Sequence, residues 1–240
     1  MPVLLGSVDP GMAAKFLDQL AGEGFTAPWG VRMVAATDPA FRAAGYHSGS
    51  VWPLYTGWAS LAEYRAGRPE AGFRHLAANL ALPFARQKGA FDEVLDGLTG
   101  EGAGVCPDQA WSAAMAALPL VEGLLGVQPD AVHGRLTVAP ALPEAWDWLE
   151  ARGLRCGDSV VDLRVRRRAA WLEIGLRRTA GTAPWVTVAP WLREAPAEVN
   201  VDGSAVQPQS EPWGQGVRCA VSFQASAEHE LRFAVPNPHP

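Results

Sequence analysis

The chain has 240 residues, 48% of them hydrophobic and 19% charged, and a formal net charge of -5. That is an ordinary globular composition, and its negative balance argues against a general attraction to nucleic acid or to an anionic membrane surface. Its three cysteines, Cys106, Cys156 and Cys219, lie far apart without a CxxC pair, which argues against a disulfide framework or a zinc site and fits a reducing compartment.

In chain order, MPVLLGSVDPGM lacks a basic leader region and has too short an apolar run for a signal peptide, and no apolar run is long enough to span a bilayer. A cytoplasmic location is the expectation. Asp9 reads as an N-cap with Pro10 at the first helical position. Met12, Phe16, Leu17 and Leu20 then recur at helical spacing, and Gly22 and Gly24 stop the helix. A long non-periodic segment follows, carrying Trp29, Arg32 and Asp38. A segment of that kind is usually functional or disordered, and its apolar content argues for the former.

Tyr46 to Trp58, YHSGSVWPLYTGW, gathers aromatics, hydroxyls, an imidazole and glycines directly before a helical pattern. Flat aromatic faces beside hydrogen-bonding groups suit a sugar: the face stacks and the rim hydroxyls are held. The same aromatics could serve only as core. Pro53 to Ala66 predicts a helix with Leu54, Trp58, Leu61 and Tyr64 on one face. Glu70 to Arg86 predicts a second, with His75 at its surface, and the two form an αα-hairpin. Gly89 to Pro107 is an acidic glycine-rich loop. In it Phe91 and Val94 bracket Glu93 and could tuck its carboxylate into a pocket, with Asp92 and Asp96 as competitors. Asp108 is expected to cap a further helix with Gln109 and Trp111 in its first turn.

Near residue 130 the period falls to two. Strands are expected at Arg135 to Val138, Val160 to Arg166, Trp171 to Arg177, Trp185 to Val188, Glu198 to Val201, Val217 to Phe223 and Glu228 to Val235. Asp202-Gly203 is a hairpin turn signal. Arg164 to Arg168, RVRRR, reads as a solvated strand edge, and the tail PNPHP as a frayed end. The fold class is therefore α+β and multidomain: helices over 1–130, then an antiparallel β-sandwich over 131–240.

Four segments in order, PWGVRM (Pro28 to Met33), YHSGSVWPL (Tyr46 to Leu54), FDEVLDG (Phe91 to Gly97) and PDQAWSAA (Pro107 to Ala114), resemble the C-terminal part of six-hairpin (α/α)6 toroid glycosidases of the amylo-α-1,6-glucosidase or glycogen-debranching type. The resemblance covers about the first 150 residues. It implies a partial toroid followed by a β-sandwich, and inverting hydrolysis of α-glucosidic bonds by a general acid and a general base. Glu93 matches the base, and Trp29, His47, Trp52, Gln109 and Trp111 match pocket-lining positions, Trp111 equally readable as a packing residue. The expected partner is an α-glucan or oligosaccharide, with no cofactor, metal, nucleic acid or membrane. No segment resembles the motif of the acid, so the chain is expected to be incomplete and inactive alone, with helix faces left for self-association or a partner chain. The alternative is a carbohydrate-binding or structural partner protein without chemistry.

Overall fold

The computed structural model describes residues 2–85, 89–168 and 170–235. Arg86, the expected end of the second hairpin helix, and the tail PNPHP lie outside the described residues. The chain divides into two compact units, Met1–Gly123 and Leu124–Pro240.

The first unit opens with α1 (Pro10–Ala21). The Asp9 carboxylate accepts the Met12 N–H at 3.0 Å, satisfying one of the unpaired donors of the first turn. Leu17 is the residue α1 buries, against Leu4, Leu61 and Ala62. Met12 and Phe16, which recur with Leu17 at helical spacing, are each 46% exposed. Two short strands, β1 (Thr26–Ala27) and β2 (Gly30–Val31), pair antiparallel.

Next comes α2 (Pro53–Arg65), buried on nearly every side rather than on one face. Its small residues explain this. Gly57 lies against Met115, where a Cβ would collide with the methionine side chain. Besides α1, two helices pack on α2: α3 (Pro69–Ala85) and α4 (Ala110–Leu118). The Tyr64 ring of α2 is gripped by Gly72 and Gly123, and a Cβ on Gly72 would fall 2.8 Å from it. After α4 the backbone widens into a π-helical turn, Pro119–Leu124. Pro119 has no N–H to give the Met115 carbonyl one turn back. That carbonyl takes the Asn79 side-chain amide instead at 3.0 Å, and the same nitrogen donates to the Pro53 carbonyl at 2.9 Å.

Two further expectations fail in α3 and α4. Asp108 does not cap α4: its N-cap is Gln109, in extended backbone and without a side-chain cap bond. His75 is not at the surface; it is 1% exposed. The Thr26 hydroxyl donates to the Leu20 carbonyl at 2.8 Å and lies 3.0 Å from His75 Nε2. A hydroxyl already donating can only accept, so Nε2 carries the proton. Nδ1 has no hydrogen-bond partner among the described residues.

The second unit is built of strands: β3 (Val127–Asp130), β4 (Arg135–Val138), β5 (Trp148–Cys156), β6 (Ser159–Arg168), β7 (Trp171–Ala180), β8 (Trp185–Val188), β9 (Trp191–Leu192), β10 (Val199–Val201), β11 (Ser204–Ala205), β12 (Gln209–Trp213), β13 (Gly216–Gln224) and β14 (Glu228–Ala234). One sheet has the order β11-β10-β14-β7-β6-β5. The other runs β12-β13-β8-β4-β3, with β9 joined to β13. Alternation along β6, β7 and β8 buries one face of each sheet, with Val161, Leu163, Val165, Ile174, Val186 and Val188 fully enclosed. Asp202 and Gly203 both have positive φ, the geometry of a two-residue hairpin turn between β10 and β11.

All seven expected strands are present, but the unit is not purely antiparallel. β4 and β8 pair in parallel, because the chain leaves β4, lays β5, β6 and β7 into the other sheet, and returns in the same direction. The RVRRR run does not form an edge either. It ends β6, which lies between β5 and β7. Arg164, Arg166 and Arg168 are exposed, while Arg167 turns to the carbonyls of Pro143, Glu144 and Trp146 at 3.1, 2.6 and 3.2 Å.

Candidate functional site

Three loop segments meet at the start of α2. Val51 and Leu95 exchange backbone hydrogen bonds of 2.9 and 2.8 Å, and the Met33 N–H reaches the Ser50 carbonyl at 3.0 Å. Isolated bridges extend this ladder from Arg32 through Val51 and Leu95 to Gly102. The contact requires glycine. Gly97 lies directly on the Gly49 carbonyl, where a Cβ would collide, and its N–H donates to the Ala43 carbonyl at 2.9 Å. Arg32 fastens the arrangement from the side, with Nε 2.7 Å from the Gly97 carbonyl and a terminal nitrogen 2.9 Å from that of Glu23. Beneath the loops lies an apolar floor of Val51, Leu82 and Leu95, with Trp29 and Phe91 packed against it.

Glu93 is held in this cluster at 6% exposure. Its N–H is fixed by the Cys106 carbonyl at 2.8 Å, and the Phe91 carbonyl takes the Gln109 N–H at 2.7 Å, so its segment runs beside the lead-in to α4. The bracketing Val94 is buried as expected, at 2% exposure. Tyr46 donates its hydroxyl to Glu93 Oε1 at 2.9 Å. Partial desolvation raises the Tyr46 phenol above its ordinary value, and the Glu93 hydrogen bond and charge add to the rise. The Tyr46 ring stands edge-on to His47 and to Trp52, centroids 4.6 and 4.5 Å apart, and His47 stacks parallel to Trp52 at 5.5 Å. The aromatic series continues along α2 through Tyr55 to Trp58.

The competitor Asp96 has a local task. Its Oδ1 accepts the N–H groups of Leu98 and Thr99 at 2.8 and 2.9 Å, and the Leu98 bond foremost holds its carboxyl below the usual range. That carboxylate shapes the turn. Trp52 and Gln109 are the N-cap residues of α2 and α4, both extended and neither with a side-chain cap bond. Direct contacts thus join Glu93, Tyr46, His47 and Trp52, and Gln109 reaches the Glu93 segment through its backbone. Trp29 covers Gly100, where a Cβ would come within 2.6 Å of its ring. Trp111 is 43% exposed in the first turn of α4 and takes no part in these contacts. The roles of Tyr46 and Arg32 emerge only from the structure. Tyr46 stands inside the YHSGSVWPL segment, but nothing in its spacing announces a bond to a residue 47 positions on.

Residues 1–112 match the family described as the mannosylglycerate hydrolase MGH1-like glycoside hydrolase domain. This supports the glycosidase resemblance of that part of the chain, and not the debranching type in particular. Among solved structures, an alpha-L-rhamnosidase from Dictyoglumus thermophilum aligns with 97% of this chain at 11% identity and a TM-score of 0.60, a likeness of fold. An uncharacterized conserved protein from Thermus thermophilus is 28% identical over 48% of this chain, and a GH63 mannosylglycerate hydrolase from the same organism 27% identical over 48%, each at a TM-score of 0.41. The chain spans 28%, 24% and 27% of the length of the Thermus conserved protein, the rhamnosidase and the hydrolase, respectively. No curated protein matches it.

Proposed function

We propose that the first unit carries the general-base half of a glycoside hydrolase active site, with Glu93 as the base and His47, Trp52 and Gln109 at its sugar-facing rim. In this reading α1 to α4 are part of a six-hairpin toroid, and the reaction is hydrolysis of an α-glycosidic bond with inversion. The observation that carries it is the Glu93 carboxylate, nearly enclosed, gripped on one oxygen by Tyr46, and set in a loop cluster whose aromatic members lie beside it. Oε1 takes the Tyr46 hydroxyl, and Oε2 is left to draw a proton from a water attacking the anomeric carbon. The sequence segments favour an α-glucoside of the debranching kind, whereas the family match favours a mannosylglycerate-like glycoside.

The test uses α-glucosyl and α-mannosyl fluorides. Fluoride departs without being protonated by an acid, so turnover reports on the base. Hydrolysis of one fluoride by the wild-type chain is expected, reduced roughly a hundredfold or more in Glu93→Gln. Sugar binding without hydrolysis, equal in both proteins, would favour the binding-protein alternative.

A further inference from the structure

We propose that Tyr46 is the positioning residue of the Glu93 carboxylate, its hydroxyl fixing Oε1 so that Oε2 alone is presented to the attacking water. This inference rests on Glu93 acting as the base. Three observations carry it. First, Tyr46 is 37% exposed, so its hydroxyl could have faced solvent; it reaches Oε1 at 2.9 Å instead. Second, Tyr46 is itself held. Its carbonyl accepts two side-chain donors, Trp52 Nε1 at 2.8 Å and the Ser50 hydroxyl at 2.7 Å. Its ring is braced edge-on by Trp52, which is 5% exposed and caps α2. The phenol is therefore aimed from a rigid helix start rather than from a free loop. Third, the backbone bond of Glu93 to Cys106 fixes the Cα but not the side-chain torsions beyond it. The Tyr46 hydrogen bond fixes those torsions, and among the described residues no other side chain donates to this carboxylate.

A flexible carboxylate must pay torsional entropy when it captures a water; a held one has that order already. The hydroxyl donates in the ground state and leaves the substrate untouched, so its loss should appear in kcat rather than in KM.

The experiment compares wild type, Tyr46→Phe and Glu93→Gln on the fluoride that is turned over. Tyr46→Phe keeps the ring and its packing, and an unchanged near-ultraviolet circular dichroism spectrum confirms this. The expected result is a fall in kcat of roughly tenfold to a hundredfold with KM nearly constant, the scale of one hydrogen bond to a charged group. A second readout needs no turnover. In an alkaline absorbance titration, the Tyr46 phenol should ionise at lower pH in Glu93→Gln than in wild type. Hydrolysis lost in Glu93→Gln but unchanged in Tyr46→Phe overturns the inference and leaves the base assignment standing. A tyrosinate titration indifferent to Glu93→Gln overturns it as well. No wild-type hydrolysis, or equal hydrolysis in wild type and Glu93→Gln, overturns the base assignment and the inference with it.

Discussion

Replacing His75 with glutamine should remove a defined part of the pH dependence of folding. His75 is 1% exposed and donates from Nε2 to Thr26, while Nδ1 faces no partner among the described residues. Burial, aided by the charges of Arg74 and Arg68, pushes its pKa down from 6.5 to about 4. The unfolded imidazole takes up a proton near pH 6.5, but the folded one refuses it until about pH 4. The stabilisation is therefore complete above pH 6.5 and is lost as pH falls toward about 4. A shift of that size, at about 1.4 kcal/mol per pH unit, is worth about 3 kcal/mol. Glutamine can still donate to the Thr26 hydroxyl but does not titrate. Urea unfolding of both proteins at about pH 7.5 and about pH 4 isolates the contribution, because every other titrating group is common to both. Wild type should lose about 3 kcal/mol more than His75→Gln between the two conditions. Parallel losses would refute the buried neutral imidazole.

Glu63 should act with the opposite sign. It is fully enclosed on α2, and although Arg68 Nε lies 2.8 Å away, desolvation outweighs that charge and pushes its pKa up from 4.5 to about 7. The unfolded carboxyl loses its proton near pH 4.5 and the folded one only near 7, so stability falls as pH rises through that window. Glu63→Gln should match wild type at about pH 4 and exceed it at about pH 8 by an amount on the order of 3 kcal/mol, read from the same urea curves. Gly97→Ala, forced against the Gly49 carbonyl, should cost about 2 kcal/mol or more and, if the proposed site is correct, slow hydrolysis of the glycosyl fluoride. Asp9→Ala removes the cap of α1 and should lower stability by about 1 kcal/mol, read from the same urea curves.

Local chemistry was legible in the sequence wherever one segment decides its own structure. The Asp9 cap, the Asp202-Gly203 turn and the seven strands of apolar alternation all stood in place. Strands that break the period-two pattern were not legible. β5 shifts register between Ala151 and Leu154, around Gly153. β12, at the end of its sheet, is largely exposed and holds Pro212, whose missing N–H an edge position tolerates. His75 was misread because helical periodicity sees only its own helix, and the Thr26 hydroxyl that receives its proton comes from another segment. The site follows the same division. The candidate residues lie in recognisable segments, but the hand that holds Glu93 belongs to Tyr46, through a contact that only the folded loops create.

The Asn79 side chain has a kinetic consequence. One amide nitrogen joins the first carbonyl of α2, at Pro53, to the carbonyl that Pro119 releases in α4, at Met115. These partners lie 26 and 36 residues away in opposite directions along the chain. Neither bond forms within a single helix: the Pro53 bond requires the hairpin of α2 and α3, and the Met115 bond requires the approach of α4 as well. The amide closes the three-helix arrangement like a keystone set after the stones around it. Its deletion should accelerate unfolding while leaving the rate of folding nearly unchanged.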